Sequence, residues 1–217
     1  MFVSDWMTRK LFTLSPDDFV SDAVKLMKEK HIKHIPIVKD DRLKGIVSDR
    51  DVKEFTPSKA TTLDIYELHY LLAKTKMKEI MKTKVTTVAP DTSVEEAAMM
   101  LHDENIGCLP VVKNDRVVGI ISDHDIYRIL VDITGVRHGG HRICLTLEDR
   151  PGSIREVADI IRQHGFMLQS ILSSYEGVES GYRRVVIRTK GDGDFKALKD
   201  AIEKTFIVCK GLDIKQG

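Results

Sequence analysis

The sequence predicts a mixed α+β chain: two copies of one small unit, then a third unit of another pattern. Three observations carry this. Displaced by 74 residues, the chain falls on itself: Met7 meets Met81, Thr13 meets Thr87, and Pro16-Asp17 meets Pro90-Asp91. In the same register Ala23, Ile32, Pro36 and Val38 meet Ala97, Ile106, Pro110 and Val112. One heptapeptide pattern recurs without a gap, as Gly45-Ile46-Val47-Ser48-Asp49-Arg50-Asp51 and Gly119-Ile120-Ile121-Ser122-Asp123-His124-Asp125. After residue 140 the pattern changes to strand, helix, two strands, helix, strand.

Within each copy, covering 3–55 and 77–130, a short strand comes first, near 11–14 or 85–88. Pro-Asp then opens a helix. Val20, Ala23, Val24 and Met27, and Val94, Ala97, Ala98 and Leu101, form the stripe of a helix with one buried face. Ser93 and Glu96 fit a capping box. Residues 35–38 and 109–112 read as strands, and 43–47 and 117–121 as their hairpin returns. Asp40-Asp41 and Asn114-Asp115 supply the turns. Pro36 and Pro110 mark a sheet edge or a strand entry. A unit of about 55 residues holds a marginal core alone, so the copies are expected to pack together. Between them Pro57-Ser58 breaks the chain, and 63–72 reads as a helix with Ile65, Leu68 and Leu72 on one face and Tyr66 and Tyr70 on another. Such a helix either packs on two partners or simply connects.

The heptapeptide is a strand-to-helix corner. Free N–H groups and the helix dipole there favour an anion such as phosphate. The Asp one turn inside is placed to accept from ribose hydroxyls. Ser-x-x-Asp is equally an ordinary capping box, and the motif alone does not choose between the two.

Residues 134–140, with three glycines, read as a linker. Beyond it, 141–147 is a strand, Ile154, Val157, Ala158 and Ile161 stripe a helix, and Gly165 caps it. Strands at 168–175 and 182–189 follow around a 176–181 turn. Phe195, Leu198, Ala201 and Ile202 mark a second helix, and 206–214 a last strand. This order is that of ferredoxin-like folds.

Composition narrows the function. Thirty-four basic and 33 acidic residues leave a net charge of +1, which offers no general grip on nucleic acid or anionic membrane. Arg183-Arg184-Arg188 is the one local basic cluster singled out. No apolar run approaches the ~20 residues of a membrane span, and no signal peptide is evident. Cys108, Cys144 and Cys209 are scattered and odd in number. They argue against a disulfide framework or zinc cluster and fit a reducing cytoplasm. Cys108 reads as a small apolar filler. His138-Gly139-Gly140-His141 lacks a full ligand set and reads as polar linker. No Walker loop, Gly-x-Ser-x-Gly or His-Glu-x-x-His occurs.

On these residues, 3–130 resembles a tandem of CBS domains, a Bateman module, through Gly-h-h-Ser-x-x-Asp at 45–51 and 119–125 and the upstream Ile35-Pro36 and Leu109-Pro110. Residues 141–217 resemble an ACT domain through Asp149-Arg150-Pro151-Gly152-Ser153 and Gly165. The CBS–CBS–ACT order is similar to acetoin-utilisation B-type proteins. The resemblance implies CBS domains at 1–58 and 77–133, a helical linker at 59–76, a Gly-rich linker at 134–140 and an ACT domain at 141–217. It implies that Ser48 and Ser122 hold phosphate and Asp51 and Asp125 ribose. Ile35-Pro36 and Leu109-Pro110 would flank the base, with Thr13 and Thr87 nearby. Arg50, His124 and Arg128 would face phosphate. Glu54 stands where the other copy has Arg128, so the two sites should differ in affinity. At the ACT dimer interface, Asp149, Arg150, Pro151, Gly152, Ser153 and Ile154, with Gln169 across on the second strand, would take an amino acid or other effector. Alternatively Pro151-Gly152 only turns the chain and Asp149 only caps the helix. The implied protein is a homodimeric regulator that requires no cofactor, senses AMP, ADP, ATP or S-adenosylmethionine, and acts on a regulated partner. The rival reading is a nucleotide-hydrolysing or nucleotide-dependent enzyme with a site between modules.

Overall fold

Neither copy of the repeat closes its own core. In the computed structural model, which describes residues 1–55 and 65–209, the chain opens with helix α1 (Val3–Trp6). Val3 and Met7 are buried in the second copy's core, beside Leu109, Val111 and Ile121. Val3 N donates to Thr92 O at 2.9 Å and Ser4 N to Pro90 O at 2.8 Å. Helix α2 (Val20–Lys30) follows, then a hairpin of β1 (His34–Lys39) and β2 (Arg42–Ser48), then α3 (Asp49–Phe55). Helix α4 (Ile65–Lys74) lays Leu72 into this first core. Tyr70 stays exposed, with the Lys74 ammonium over its ring. The expected chain break at 57–58 and the start of that helix at residue 63 lie outside the described residues.

The second copy repeats the exchange. Helix α5 (Met77–Ile80) carries Met77 and Met81 into the first core, beside Ile35, Ile37 and Val47. Met77 N donates to Asp18 O and Lys78 N to Pro16 O, the bonds that α1 makes 74 residues earlier. Helix α6 (Val94–Asp103), capped by the expected Ser93–Glu96 box, leads to the hairpin β3 (Cys108–Lys113) and β4 (Arg116–Ser122) and to α7 (Asp123–Ile133). The expected opening strands shrink to single bridges, Leu14 with Ile37 and Val88 with Val111. The helices begin at Val20 and Val94, later than Pro-Asp predicts. Asp40-Asp41 and Asn114-Asp115 all take positive φ, the requirement of a type I′ hairpin turn.

The glycine of each heptapeptide now has a physical reason. A methyl group on Gly45 would stand 2.8 Å from Met81 Sδ and 2.8 Å from the Lys82 carbonyl. Gly119 meets Met7 in the same way. Each hairpin is bare there because the other copy's methionine lies against it.

These elements to Ile126 form one compact unit, and Tyr127–Gly217 forms another. In the latter, β5 (His141–Glu148), α8 (Ser153–Gln163), β6 (Met167–Ser174), β7 (Tyr182–Lys190), α9 (Phe195–Thr205) and β8 (Ile207–Val208) follow one another. The sheet order is β6-β7-β5-β8, all antiparallel, the split βαβ arrangement expected from the sequence. The last strand is short, and its expected extension past residue 209 lies outside the described residues. Ile143, Leu145, Val157, Ile161, Val185 and Leu198 centre its core. Gly165 takes φ +82 behind α8, as a C-terminal cap requires. His141 is no polar linker residue: its ring stacks on Phe195 at 3.8 Å and meets Phe166 edge-on at 5.4 Å. Among the described residues no helix is long and apolar enough to cross a membrane.

Two measurements test this packing. Gly45→Ala should cost about 1–3 kcal/mol through overpacking, read as a lower denaturant midpoint, and Met81→Ala in the same chain should recover part of it. Burial holds the His141 pKa below its ordinary 6.5, with Nδ1 buried and unpartnered. The unfolded chain therefore binds that proton more tightly, so the contribution is full above about pH 6.5 and is lost as pH falls below it. The thermal midpoint should drop between about pH 7 and 5.5, and His141→Phe should reduce that drop.

Candidate ligand site at the first strand-to-helix corner

The corner at the end of β2 is built from three consecutive turns of logic. Val47 is fully buried and anchors the strand. Ser48, next in line, turns to the helix, and Asp51 comes back toward it one turn later. Ser48 N donates to Asp51 Oδ2 at 2.7 Å, Ser48 Oγ donates to the same oxygen at 2.5 Å, and Asp51 N donates to Ser48 Oγ at 3.2 Å. That is the capping box in full. The other carboxylate oxygen, Asp51 Oδ1, pairs with Lys82 Nζ at 2.9 Å. Burial works to raise the Asp51 pKa, but the Lys82 ammonium and the Ser48 donors outweigh it and hold the carboxyl below its ordinary range. Asp51 is only 8% exposed, so it is a buried, ionised acceptor facing a single cation.

A cleft of about 610 Å³ opens at this corner. The first copy supplies Lys33, His34, Ile46, Ser48, Asp49, Arg50, Asp51 and Lys53. The second supplies Lys82, Lys84, Val85, Thr86, Cys108 and Asp123, with the turn from Glu104 to Gly107. Five cations thus ring four carboxylates. A methyl group on Gly107 would lie 2.8 Å from the His34 ring, so the imidazole closes against that backbone. Burial lowers the His34 pKa against the opposing pull of Asp123, Asp49 and Asp51, and the ring is neutral near pH 7. Cys108 is buried, and burial, with Asp123 adding to it, pushes its thiol up to about 12. It is an apolar filler, as expected.

The related corner repeats part of this. Ser122 N and Oγ donate to Asp125 Oδ2 at 2.9 and 2.8 Å. The residue matching Lys82 is Thr8, whose backbone pairs with Ile120. His124 is exposed on α7.

Several expected residues sit elsewhere. Ile35 and Leu109 have no exposure and fill the two cores. Pro36 and Pro110 are buried in the hairpins. Strand alternation turns Ile35 and Leu109 into the cores, and their neighbours His34 and Cys108 face the cleft instead. Thr13 and Thr87 are exposed, and Val85 and Thr86 line the cleft in their stead. Glu54 is exposed on α3, and Arg128 is exposed on α7. Lys82 is the principal residue that sequence reasoning passed over. Its signal was present: it is the point where Met7-Thr8 and Met81-Lys82 part company.

In the C-terminal unit, Asp149 does not cap α8. The N-cap is Gly152 at φ +90, with no side-chain bond. Asp149 Oδ1 lies 3.6 Å from Arg183 Nε and 3.5 Å from the Tyr175 hydroxyl. Arg150 binds Glu156 through both terminal nitrogens, at 2.8 and 2.9 Å, and Glu148 at 2.8 Å. Arg183 also donates to Ser153 Oγ at 3.0 Å, and Ile154 packs against the core. Pro151 is exposed. Gln169 does not join this loop. It donates to Gly135 O at 3.3 Å, at the His141 end of the sheet, whereas the loop leaves the Glu148 end. Seven residues of strand, roughly 20 Å, separate those ends.

Comparison with known proteins agrees with the first unit. The CBS domain family model matches residues 3–57 and 77–132, just over half of the chain. A CBS domain-containing protein of Bacillus subtilis, YhcV, is 30% identical over 124 residues, which are 57% of this chain and 81% of YhcV. Among solved structures, the acetoin-utilization-type protein AcuB from Vibrio cholerae superposes with a TM-score of 0.54 at 37% identity, covering 64% of this chain and 96% of that one. CBSX2 in complex with AMP superposes with a TM-score of 0.52 at 27% identity, covering 61% and 97%. By its two matched repeats and the exchange that joins them, the chain belongs to the CBS domain family as a tandem pair.

Proposed function

We propose that the CBS pair is a non-catalytic sensor of an adenine nucleotide, bound in the cleft at the Ser48–Asp51 corner. The observation that carries this is the buried Asp51 carboxylate, paired with Lys82, at a cleft that four more cations line. The carboxylate is suited to ribose hydroxyls, and Lys33, Arg50, Lys53 and Lys84 to phosphates. Ile46, Val85, Cys108 and the neutral His34 ring offer the base an apolar wall. CBSX2 holding AMP supports the ligand class, and the likeness to AcuB makes acetoin and acetate metabolism the first pathway to examine.

On this reading Lys82 is the ribose partner's counter-ion, and it adds to the Glu54 and Arg128 contrast as a reason for unequal affinity. The C-terminal unit is proposed as an ACT-type domain, with an effector taken at Asp149 and the 150–154 turn. The domain limits 1–58, 77–133 and 141–217 follow from that assignment, and a homodimer that alters a partner's binding is its output.

Isothermal titration with AMP, ADP, ATP and S-adenosylmethionine checks the site. Asp51→Ala should weaken nucleotide binding about 10- to 100-fold, the loss expected for a charge-assisted hydrogen-bond acceptor, and Asp125→Ala should weaken it less. Equal losses from both variants, or none, would refute the assignment of the cleft as the main site. Lys82→Thr, which copies the other corner, should cost ATP about 3- to 10-fold and adenosine little, with the difference shrinking in high salt. Incubation with ATP and Mg²⁺ should release no phosphate. Turnover abolished by Asp51→Ala would favour the enzyme reading instead.

A further inference from the structure

Two of the three cysteines, distant in sequence, are neighbours in space. Strand β8 pairs with β5 through Leu145 opposite Val208 and Thr146 opposite Ile207. One step further along the same ladder, Cys209 N donates to Cys144 O at 3.0 Å. Cys144 and Cys209 are therefore cross-strand partners on one face of the sheet. Thr146, two residues on and on the same face, brings its hydroxyl to 3.7 Å from Cys209 Sγ. Directly opposed residues of an antiparallel pair have Cα atoms about 4.5–5.5 Å apart, inside the range a disulfide spans. Both thiols are free.

The two differ in access. Cys144 is 6% exposed and Cys209 half-buried. Burial pushes the Cys144 thiol up to about 11, with the neighbouring Cys209 thiol adding to it and the Arg142 and Arg184 guanidiniums opposing it. A buried thiol of that kind is a poor first nucleophile. It is well placed as the second.

We propose that Cys144 and Cys209 form an oxidisable dithiol that closes to a disulfide and staples the edge strand β8 to β5. The oxidant is a hydroperoxide. The Cys209 thiolate attacks one peroxide oxygen, giving a sulfenic acid and releasing hydroxide, which takes up a proton to become water. The Cys144 thiol then attacks the sulfenic sulfur and water leaves. Two thiols lose two electrons and two protons, and hydrogen peroxide becomes two waters. Strand β8 has only two laddered residues, so a covalent tie at its end changes how firmly the edge is held.

The test uses the full chain with a few equivalents of hydrogen peroxide, followed by thiol counting in denaturant and peptide mapping. Three thiols are present before oxidation. After it, one should remain, Cys108, and a peptide pair joined through Cys144 and Cys209 should appear, reversed by dithiothreitol. Oxidised protein should also melt at a higher temperature than reduced protein. Cys144→Ser should instead leave a sulfenic acid on Cys209, trapped by dimedone. Cys108→Ser should close the bond as the parent does. If Cys144→Ser does not fold, Cys209→Ser, in the half-buried position, should leave Cys144 unmodified and no internal bond. Three free thiols after oxidation, a bond through Cys108 or between chains, or a Cys209 sulfinic acid beside a free Cys144 would overturn the proposal.

Discussion

The contact on which the first unit depends is that of a methionine from one copy against the heptapeptide glycine of the other. Met81 lies on Gly45 and Met7 on Gly119. A unit of this size buries only a marginal core alone, and the chain enlarges it by exchange. Each copy donates its opening helix to its neighbour's core. The exchange also delivers the residue after each methionine to the other copy's strand-to-helix corner. Lys82 reaches Asp51 because Met81 sits on Gly45, so packing and site geometry are one constraint.

That coupling places Lys82 at the first corner, while the Ser-x-x-Asp hydrogen bonds of the two corners are alike. In both, a serine backbone and hydroxyl satisfy one carboxylate oxygen. At the first corner the remaining oxygen of a nearly buried carboxylate meets an ammonium at 2.9 Å. A buried anion without a partner is costly, and Lys82 meets that cost while leaving its own side chain 65% exposed. The capping box and the proposed ligand corner are then not rivals: the cap orients the carboxylate, and its second oxygen stays at the cleft beside Lys82.

The C-terminal unit is organised differently. Its sheet carries an apolar face onto two helices, and its chemistry sits at the ends of the strands. At one end Asp149, Arg183 and Ser153 meet. At the other, Gln169 and Arg188 bind the backbone of the glycine-containing segment at Gly135 and Gly139. Near its short edge strand Cys144 and Cys209 stand opposite one another on adjacent strands.

Much of this was legible in the chain. The 74-residue repeat, the helical stripes, the hairpin turns, the Ser93–Glu96 cap and the βαββαβ order are local patterns, and local patterns survive in a sequence read one residue at a time. The Ser48–Asp51 corner was legible for the same reason, since both residues lie within one helical turn. What failed was anything set by alternation or by contact between distant segments. A strand places neighbours on opposite faces, so the wall of the cleft fell to His34 and Cys108 rather than to Ile35 and Leu109. Gln169 and Asp149 went to opposite ends of a sheet that the sequence could order but not measure. The sequence by itself determined which segments fold and which corner can cap its helix. Only the tertiary structure decided that Lys82 faces Asp51 and that Cys144 faces Cys209, because those pairings are fixed by packing between segments that are dozens of residues apart.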